Sequence, residues 1–136
     1  MLTVAPPDPG DVIGSSRIVL GADFLIPPTG NDEVITGWVA DPAYQDSFVR
    51  SGGLFLVGNG RARIRVDLTR QSRGEYIEPK ILINGAVQET VRLYPDDTSS
   101  YKTLYRIIEH GDILTVTGNH PSGSGGRLGL YPQRRL

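Results

Sequence analysis

The segment Arg61-Ala62-Arg63-Ile64-Arg65-Val66-Asp67-Leu68 decides the fold class of this chain. Its odd-numbered positions are all charged and its even-numbered positions are all apolar. Successive residues of a β-strand face opposite sides of a sheet, so this pattern predicts a strand with one solvated face and one buried face. On a helix the same residues would spread charge around the whole circumference. The segment therefore favours a sheet that covers a core with one side only.

Short β-type runs separated by turn residues surround this strand. The dipeptide Asn84-Gly85 predicts a tight hairpin, and Gly58-Asn59-Gly60 is interpreted in the same way, as a hairpin leading into the strand. The whole chain contains about eight to ten such runs, which is typical of an antiparallel sandwich or barrel. We therefore predict an all-β protein, and a two-sheet jelly-roll sandwich fits this number of strands best.

Residues 101–110 allow two interpretations. A helix would align Tyr101, Leu104, Tyr105 and Ile108 in one stripe. A strand would instead place Tyr101 and every second residue up to Ile107 on one face. The neighbouring segments are all β, and a lone helix would lack a surface to pack against, so a strand is favoured.

The first sixteen residues are rich in proline and glycine, which favour extended backbone. We predict an extended N-terminal arm at 1–16, followed by one β-sandwich domain at 17–136. The arm is interpreted either as a loose tail or as a segment that docks on a neighbouring subunit. The docking contacts would be Leu2, Val4, Pro6 and Pro7.

Composition excludes several classes of protein. The 136 residues include 14 basic and 15 acidic side chains, so the chain lacks the broad basic field that nonspecific nucleic-acid binding requires. The absence of cysteine removes disulfides, Cys-ligated metal sites and thiol nucleophiles. Neither a signal peptide nor an apolar run long enough to cross a bilayer is present. We expect no nucleic-acid partner and no insertion into a membrane.

Few residues in the sequence suit catalysis. His110 and His120 are the only imidazole bases, and no Gly-x-Ser-x-Gly nucleophile elbow is present. His110 with Asp112 could contribute ligands to a metal, but a polar turn in which Asp112 accepts from local amides is the favoured interpretation. Asp96-Asp97 is interpreted as a solvated turn, since calcium sites need more carboxylates than this pair. We predict a non-enzymatic protein without cofactor or metal.

The arginines of the central strand form a ridge that could contact a ligand. Such a ridge suits phosphate or an anionic glycan, although a solvated face or cross-strand ion pairs with nearby glutamates are the favoured interpretation. No aromatic residue is interleaved with the arginines along the strand, so base stacking is not expected. Trp38 lies in an apolar run and is predicted to be buried. The candidate ligand contacts at the surface are Arg61, Arg63, Arg65, Tyr44 and Tyr131.

The order of motifs resembles a known structural group. The run 58–68 is followed by Ile81-Leu82-Ile83-Asn84-Gly85, Leu104, Gly111-Asp112-Ile113-Leu114-Thr115-Val116 and a final apolar strand. This order resembles the compact trimeric jelly rolls of the complement and tumour necrosis factor type. The resemblance implies a homotrimer and implies no catalytic residues.

A second resemblance concerns the segment Gly37-Trp38-Val39-Ala40-Asp41-Pro42-Ala43-Tyr44, which leads to Gly53-Leu54-Phe55-Leu56-Val57. This stretch is similar to small virion proteins of tailed phages that infect actinobacteria, which form minor tail or head-decorating components. The resemblance implies a virion protein assembled in the host cytoplasm, a minor tail component that associates with itself and with other virion proteins. The alternatives are a capsid decoration protein and a carbohydrate-binding or host-adhesion module that contacts a surface glycan.

Overall fold

The described residues form β-strands joined by turns. The structure is a computed structural model that describes residues 1–6, 13–27, 30–70, 76–119 and 129–131, the last range by its backbone alone. The thirteen strands of these ranges are β1 Leu2–Ala5, β2 Ser16–Leu20, β3 Phe24–Leu25, β4 Asp32–Val34, β5 Trp38–Ala40, β6 Phe48–Arg50, β7 Gly53–Phe55, β8 Gly60–Arg70, β9 Lys80–Ile83, β10 Ala86–Thr90, β11 Ser99–Ile108, β12 Ile113–Asn119 and β13 Gly129–Tyr131. The predicted all-β class is confirmed. No helix in these ranges is long and apolar enough to cross a membrane.

The strands form two antiparallel sheets. The large sheet has seven strands in the order β3-β13-β8-β1-β2-β5, with β11 paired to the other side of β8. The small sheet has six strands in the order β10-β9-β12-β7-β6, with β4 paired to β12. The predicted two-sheet sandwich is therefore confirmed, whereas the jelly-roll connectivity stays a prediction.

Strand β8 follows its predicted alternation. Ala62, Ile64, Val66 and Leu68 are buried in the core, while the arginines between them are exposed. Strand β11 pairs with β8 along ten consecutive residues, from Ser99 opposite Thr69 to Ile108 opposite Gly60. The strand interpretation of this segment is confirmed, and the helical one is wrong.

One hydrophobic core lies between the sheets. It includes Leu2 and Ile64 of the large sheet and Leu54 and Leu114 of the small sheet. Trp38 is also buried, as predicted, and its indole Nε1 donates a hydrogen bond to the carbonyl of Ile35 at 2.8 Å. The lone indole N–H is therefore satisfied inside the core.

The N-terminal segment corrects the prediction of a separate docking arm. Strand β1 lies between β2 and β8 and pairs with both, and the side chains of Leu2 and Val4 are fully buried. These residues already occupy the core of their own chain, so they cannot provide an apolar contact to a neighbour. Pro6 follows β1 and is half-buried, while Pro7 lies outside the described residues. The prolines that begin at Pro6 favour an extended arm, and the short apolar alternation of Leu2 and Val4 before them is too brief to predict a strand.

The two glycine-containing turns differ in what they connect. The predicted hairpin at Asn84-Gly85 is confirmed, since β9 and β10 pair and both turn residues have positive φ, 51° and 81°. The turn Gly58-Asn59-Gly60 does not form a hairpin, because β7 belongs to the small sheet and β8 to the large sheet. Its positive-φ glycines carry the chain from one sheet to the other.

Polar contacts join the sheets along one edge. The guanidinium of Arg106 on β11 donates to the side-chain and backbone oxygens of Gln88 on β10, at 3.2 and 3.1 Å. Lys102 lies 4.0 Å from Glu89 on the same two strands. We call this contact line between β10 and β11 the seam, and it closes one side of the sandwich.

An exposed ion pair crosses strand β12 in the small sheet and gives a pH-dependent term in stability. The Nζ of Lys80 donates to the Oδ2 of Asp32 at 2.7 Å. This hydrogen bond is the main reason that the pKa of Asp32 lies below its ordinary value of 3.8. Because the folded-state pKa is lowered, the stabilisation is present above pH 3.8 and is lost as the pH falls through the folded-state value.

We expect Asp32→Asn to lower the free energy of unfolding at pH 7 by about 0.2–1 kcal/mol, as for other exposed ion pairs. The difference from the wild type should shrink as the pH is lowered below 3.8, because protonation then breaks the pair in both proteins. Urea unfolding at a series of pH values measures this difference. Asp23→Asn is the control for the removal of one exposed carboxylate. An equal decrease in the free energy of unfolding in both variants would contradict the prediction.

Candidate functional site

The candidate site is the outer face of the large sheet, on the side opposite the core. Strands β2, β1, β8 and β11 lie side by side there, with their odd-numbered residues on this face and Tyr44 of a loop beside β2. The burial of these residues ranges from exposed at Arg61, Arg63 and Arg65 to buried at Asp67. We call this surface the basic face. Its members are Thr3, Arg17, Tyr44, Arg61, Arg63, Arg65, Tyr101, Thr103 and Tyr105.

Strand β8 supplies the arginine ridge that the sequence predicted. Alternate residues of a strand repeat about every 6.7 Å, so Arg61, Arg63 and Arg65 stand in a row along β8. The guanidinium of Arg65 donates from Nε to the carboxylate of Asp67 at 3.1 Å. Among the described residues, the guanidinium of Arg63 has neither an ion pair nor a hydrogen bond, so it remains available to a ligand.

Strand β11 places tyrosines beside the arginines. Tyr105 pairs directly with Arg63 across the two strands. The guanidinium of Arg65 lies 4.2 Å from the centre of the Tyr101 ring, and that of Arg61 lies 5.4 Å from the Tyr105 ring. Both distances suit cation–π attraction, which holds the guanidinium groups over the rings. The aromatic residues that the ridge lacks along its own strand are therefore supplied by the neighbouring strand.

Strands β1 and β2 extend the face on the other side of β8. Thr3 pairs with Arg17 on one side and with Arg65 on the other, and Arg65 in turn pairs with Thr103. A row of alternating arginine and threonine therefore crosses four strands. The guanidinium of Arg17 also lies 4.3 Å from the centre of the Tyr44 ring.

Two polar atoms of this row are buried without a partner. They are the Oγ1 of Thr3 and the Nε of Arg17, neither of which has a hydrogen-bond partner in the structure. A buried polar group without a partner costs free energy that a bound ligand can recover. Both atoms are enclosed by neighbouring protein groups, so a ligand reaches them only if side chains of the face move.

The row forms the floor of a shallow depression of about 620 Å³. Three arginines and one carboxylate, that of Asp67, lie among its lining residues, so its net charge is positive. The amino group of Met1 donates to the backbone oxygen of Asp67 at 2.7 Å. Burial lowers the pKa of this amino group to about 5, against a smaller raising effect of Asp67 and alongside a lowering by Arg17. At neutral pH the positive charge therefore comes from the arginines.

The structure brings only some of the predicted contact residues together. Tyr44 joins the face through Arg17, but it is half-buried rather than exposed. The side chain of Tyr131 lies outside the described residues. The interpretation of the ridge left open a solvated face or ion pairs with Glu75, Glu78 or Glu89. The three arginines are exposed, and Glu78 and Glu89 pair instead with Arg92 at 3.6 Å and with Lys102 at 4.0 Å. Glu75 lies outside the described residues.

The residues considered for catalysis have structural partners. Asp112 accepts from the backbone N–H of Glu109 at 2.8 Å and from the side-chain amide of Asn84 at 2.9 Å, which confirms the polar turn. The Nδ1 of His110 accepts from the N–H of Gly58 at 3.1 Å. Within the described ranges no three His, Cys, Asp or Glu side chains are close enough to hold a metal ion. His120 lies outside these ranges.

Sequence reasoning missed half of the face. No local pattern in the sequence singles out Arg17 or Thr3, and none connects Tyr101 or Tyr105 with the ridge. The alternation Tyr101-x-Thr103-x-Tyr105 was a usable signal once the segment was taken as a strand. The pairing register with β8, however, depends on the whole fold.

The chain was also compared with known proteins. No protein-family model and no curated protein matches it. Its function is therefore inferred from the chemistry of the basic face and from the rest of its surface.

Proposed function

We propose that this protein is a non-enzymatic structural component of a bacteriophage particle, a minor tail protein that associates with itself and with other virion proteins. The observation that supports this role is the position of the distinctive side chains. Arginines, tyrosines and large apolar residues lie on the open outer faces of the sandwich rather than in a deep cleft. Such surfaces suit recognition of other macromolecules, whereas small substrates are usually enclosed.

The proposed surface for self-association lies beside the seam. Ile107 and Val87 are 83% and 57% exposed, and each is the sequence neighbour of a residue in the Arg106–Gln88 contact. Ile107 lies on the outer face of the large sheet, paired with Arg61, and Val87 lies on β10 of the small sheet, so a second copy of the chain that covers the seam would contact both. The resemblance to trimeric jelly rolls supports three copies in the assembly.

We expect the isolated protein at micromolar concentration to scatter light with three times the mass of one chain. Ile107→Asp combined with Val87→Asp should shift the population to monomer, because a charge buried in an interface is strongly unfavourable. Size-exclusion chromatography with multi-angle light scattering measures this change. Leu25→Asp, which alters an exposed apolar residue on β3, is the control. A wild-type protein that stays monomeric would contradict self-association through this patch.

The place of the protein in a particle is tested separately. Mass spectrometry of purified virions, with tails and heads separated, should detect the chain in the tail fraction. Detection in the head fraction alone would favour the alternative of a capsid decoration protein. Absence from both fractions would contradict a virion role altogether.

A second candidate function is a carbohydrate-binding or host-adhesion module on the same fold. The basic face favours it specifically, because it combines unpaired cationic groups, hydroxyl groups and aromatic rings in one shallow surface.

A further inference from the structure

We propose that the basic face binds an acidic polysaccharide, a chain of sugars that carry carboxylates, across strands β2, β1, β8 and β11. The contact residues of this site are Arg17, Arg63 and Arg65 for the carboxylates and Thr103 for hydroxyl groups, with Thr3 between two of the arginines. The proposal names the ligand class of the adhesion alternative and depends on the face alone. It does not require that the protein belongs to a virion.

The charges on the face suit carboxylates. A guanidinium group can donate two parallel hydrogen bonds to one carboxylate, which is among the stronger interactions available to an exposed side chain. Among the described residues neither Arg63 nor Arg17 has an ion pair, and the guanidinium of Arg17 lies over the Tyr44 ring at 4.3 Å. Only Arg65 is already paired, with Asp67. Two of the three arginines therefore retain donors for a ligand.

The spacing of these cations suits an extended chain. Arg17 and Arg65 flank Thr3, so they stand about two strand spacings, roughly 10 Å, apart across the sheet. Arg63 stands one alternate position, about 7 Å, from Arg65 along β8. Charges at several places on a shallow, open surface match a polymer with repeating carboxylates better than a small anion with one.

The hydroxyl groups between the arginines suit a sugar. Thr3 and Thr103 lie on either side of Arg65 in the row that crosses the sheet. The Oγ1 of Thr3 is buried and has no hydrogen-bond partner. Thr103 is half-buried, and its hydroxyl can donate to a carboxylate or exchange hydrogen bonds with a sugar hydroxyl, so the row suits a ligand that carries both groups.

The tyrosines argue against a site for nucleic-acid bases. Single-stranded nucleic acid is held mainly by bases that stack on open aromatic faces. Here guanidinium groups already lie over the rings of Tyr101 and Tyr105, at 4.2 and 5.4 Å, and reduce the ring area that a base could stack on.

The test is a calorimetric titration of the full chain with an oligogalacturonate, with maltohexaose as the neutral probe and a thymidine oligonucleotide as the nucleic-acid probe. We expect saturable binding of the oligogalacturonate that weakens as salt is added, and no measurable binding of maltohexaose. Arg63→Gln and Arg17→Gln should each weaken the affinity at least about tenfold, since each removes one charge-assisted contact.

Arg50→Gln is the matched control, because Arg50 is an exposed arginine of the small sheet that lies 5.8 Å from the Phe48 ring. Its affinity should equal that of the wild type. Urea unfolding of each variant establishes that the fold is retained. The proposal is overturned if the oligogalacturonate does not bind, if Arg50→Gln weakens binding as much as Arg63→Gln, or if the oligonucleotide binds more tightly. A failed titration leaves the virion role standing, and a protein absent from virions leaves this site standing.

Discussion

Deletion of residues 1–6 is expected to abolish cooperative folding of the protein. Strand β1 fills the position between β2 and β8 in the large sheet, so its removal leaves two strand edges without their hydrogen-bond partners. It also removes Leu2 and Val4, which are fully buried in the core. A truncation of this kind would be harmless if the segment were a free arm, so the result separates the two interpretations directly.

Circular dichroism and urea unfolding of the truncated chain measure this effect. Because a chain that does not fold gives no unfolding transition to measure, Leu2→Ala provides a graded version of the same test. We expect Leu2→Ala to lower the free energy of unfolding by about 2–5 kcal/mol, the usual cost of truncating a buried leucine. Leu25→Ala, at an exposed leucine, should change it by less than about 0.5 kcal/mol. A truncated chain whose urea unfolding has the same midpoint as that of the wild type would show that β1 is dispensable.

Gly53→Ala is expected to destabilise the protein by about 3 kcal/mol, at the upper end of the cost of overpacking. Gly53 begins β7, which pairs with β12 on one side and β6 on the other. A Cβ at this position would lie much closer to the Leu114 carbonyl oxygen than the van der Waals contact distance allows, and 2.7 Å from the Cγ2 of Thr115. The backbone of β12 would therefore have to move, because a carbonyl in a paired strand has no alternative rotamer.

Gly37→Ala separates this steric effect from the conformational freedom of glycine. Gly37 has a φ of 89°, but a Cβ built there meets no atom within 4 Å. Its substitution should cost about 1–2 kcal/mol through backbone strain alone. Urea unfolding of both variants makes the comparison. If Gly53→Ala were as stable as the wild type, the close approach of β7 and β12 would not be a determinant of the fold.

Local patterns predicted the elements whose structure depends on neighbours in sequence. The alternation of β8 and the dipeptide Asn84-Gly85 both act within a few residues, and the structure has both features as expected. The burial of Trp38 followed in the same way from the apolar run around it.

The wrong predictions concern elements whose structure depends on pairing between distant strands. Positive φ at Gly58 and Gly60 is compatible with a hairpin and equally with a crossing between sheets, and only the pairing of β7 and β8 with different strands distinguishes them. The alternation of Leu2 and Val4 covers four residues and was outweighed by the prolines that follow. Short apolar runs near a chain end carry little information about what they pair with.

The candidate site was predicted in part for the same reason. The ridge of Arg61, Arg63 and Arg65 lies on one strand, so its periodicity was visible in the sequence. Arg17 and Tyr105 join it only through pairings between strands that are far apart in sequence. Which residues face each other across strands is set by register, and register is a property of the assembled sheet.

The central position of β1 has a consequence for how the chain folds during synthesis. The backbone N–H of Asp67 donates to the carbonyl of Met1, so β1 cannot complete its pairing until β8, some sixty positions later in the chain, has been synthesised. Contacts between such distant positions must overcome the entropy of closing a long loop, which makes folding slow. We therefore expect N-terminal fragments that end before β8 to stay unstructured on the ribosome. The nascent chain should acquire protease resistance only after residue 70 has cleared the exit tunnel.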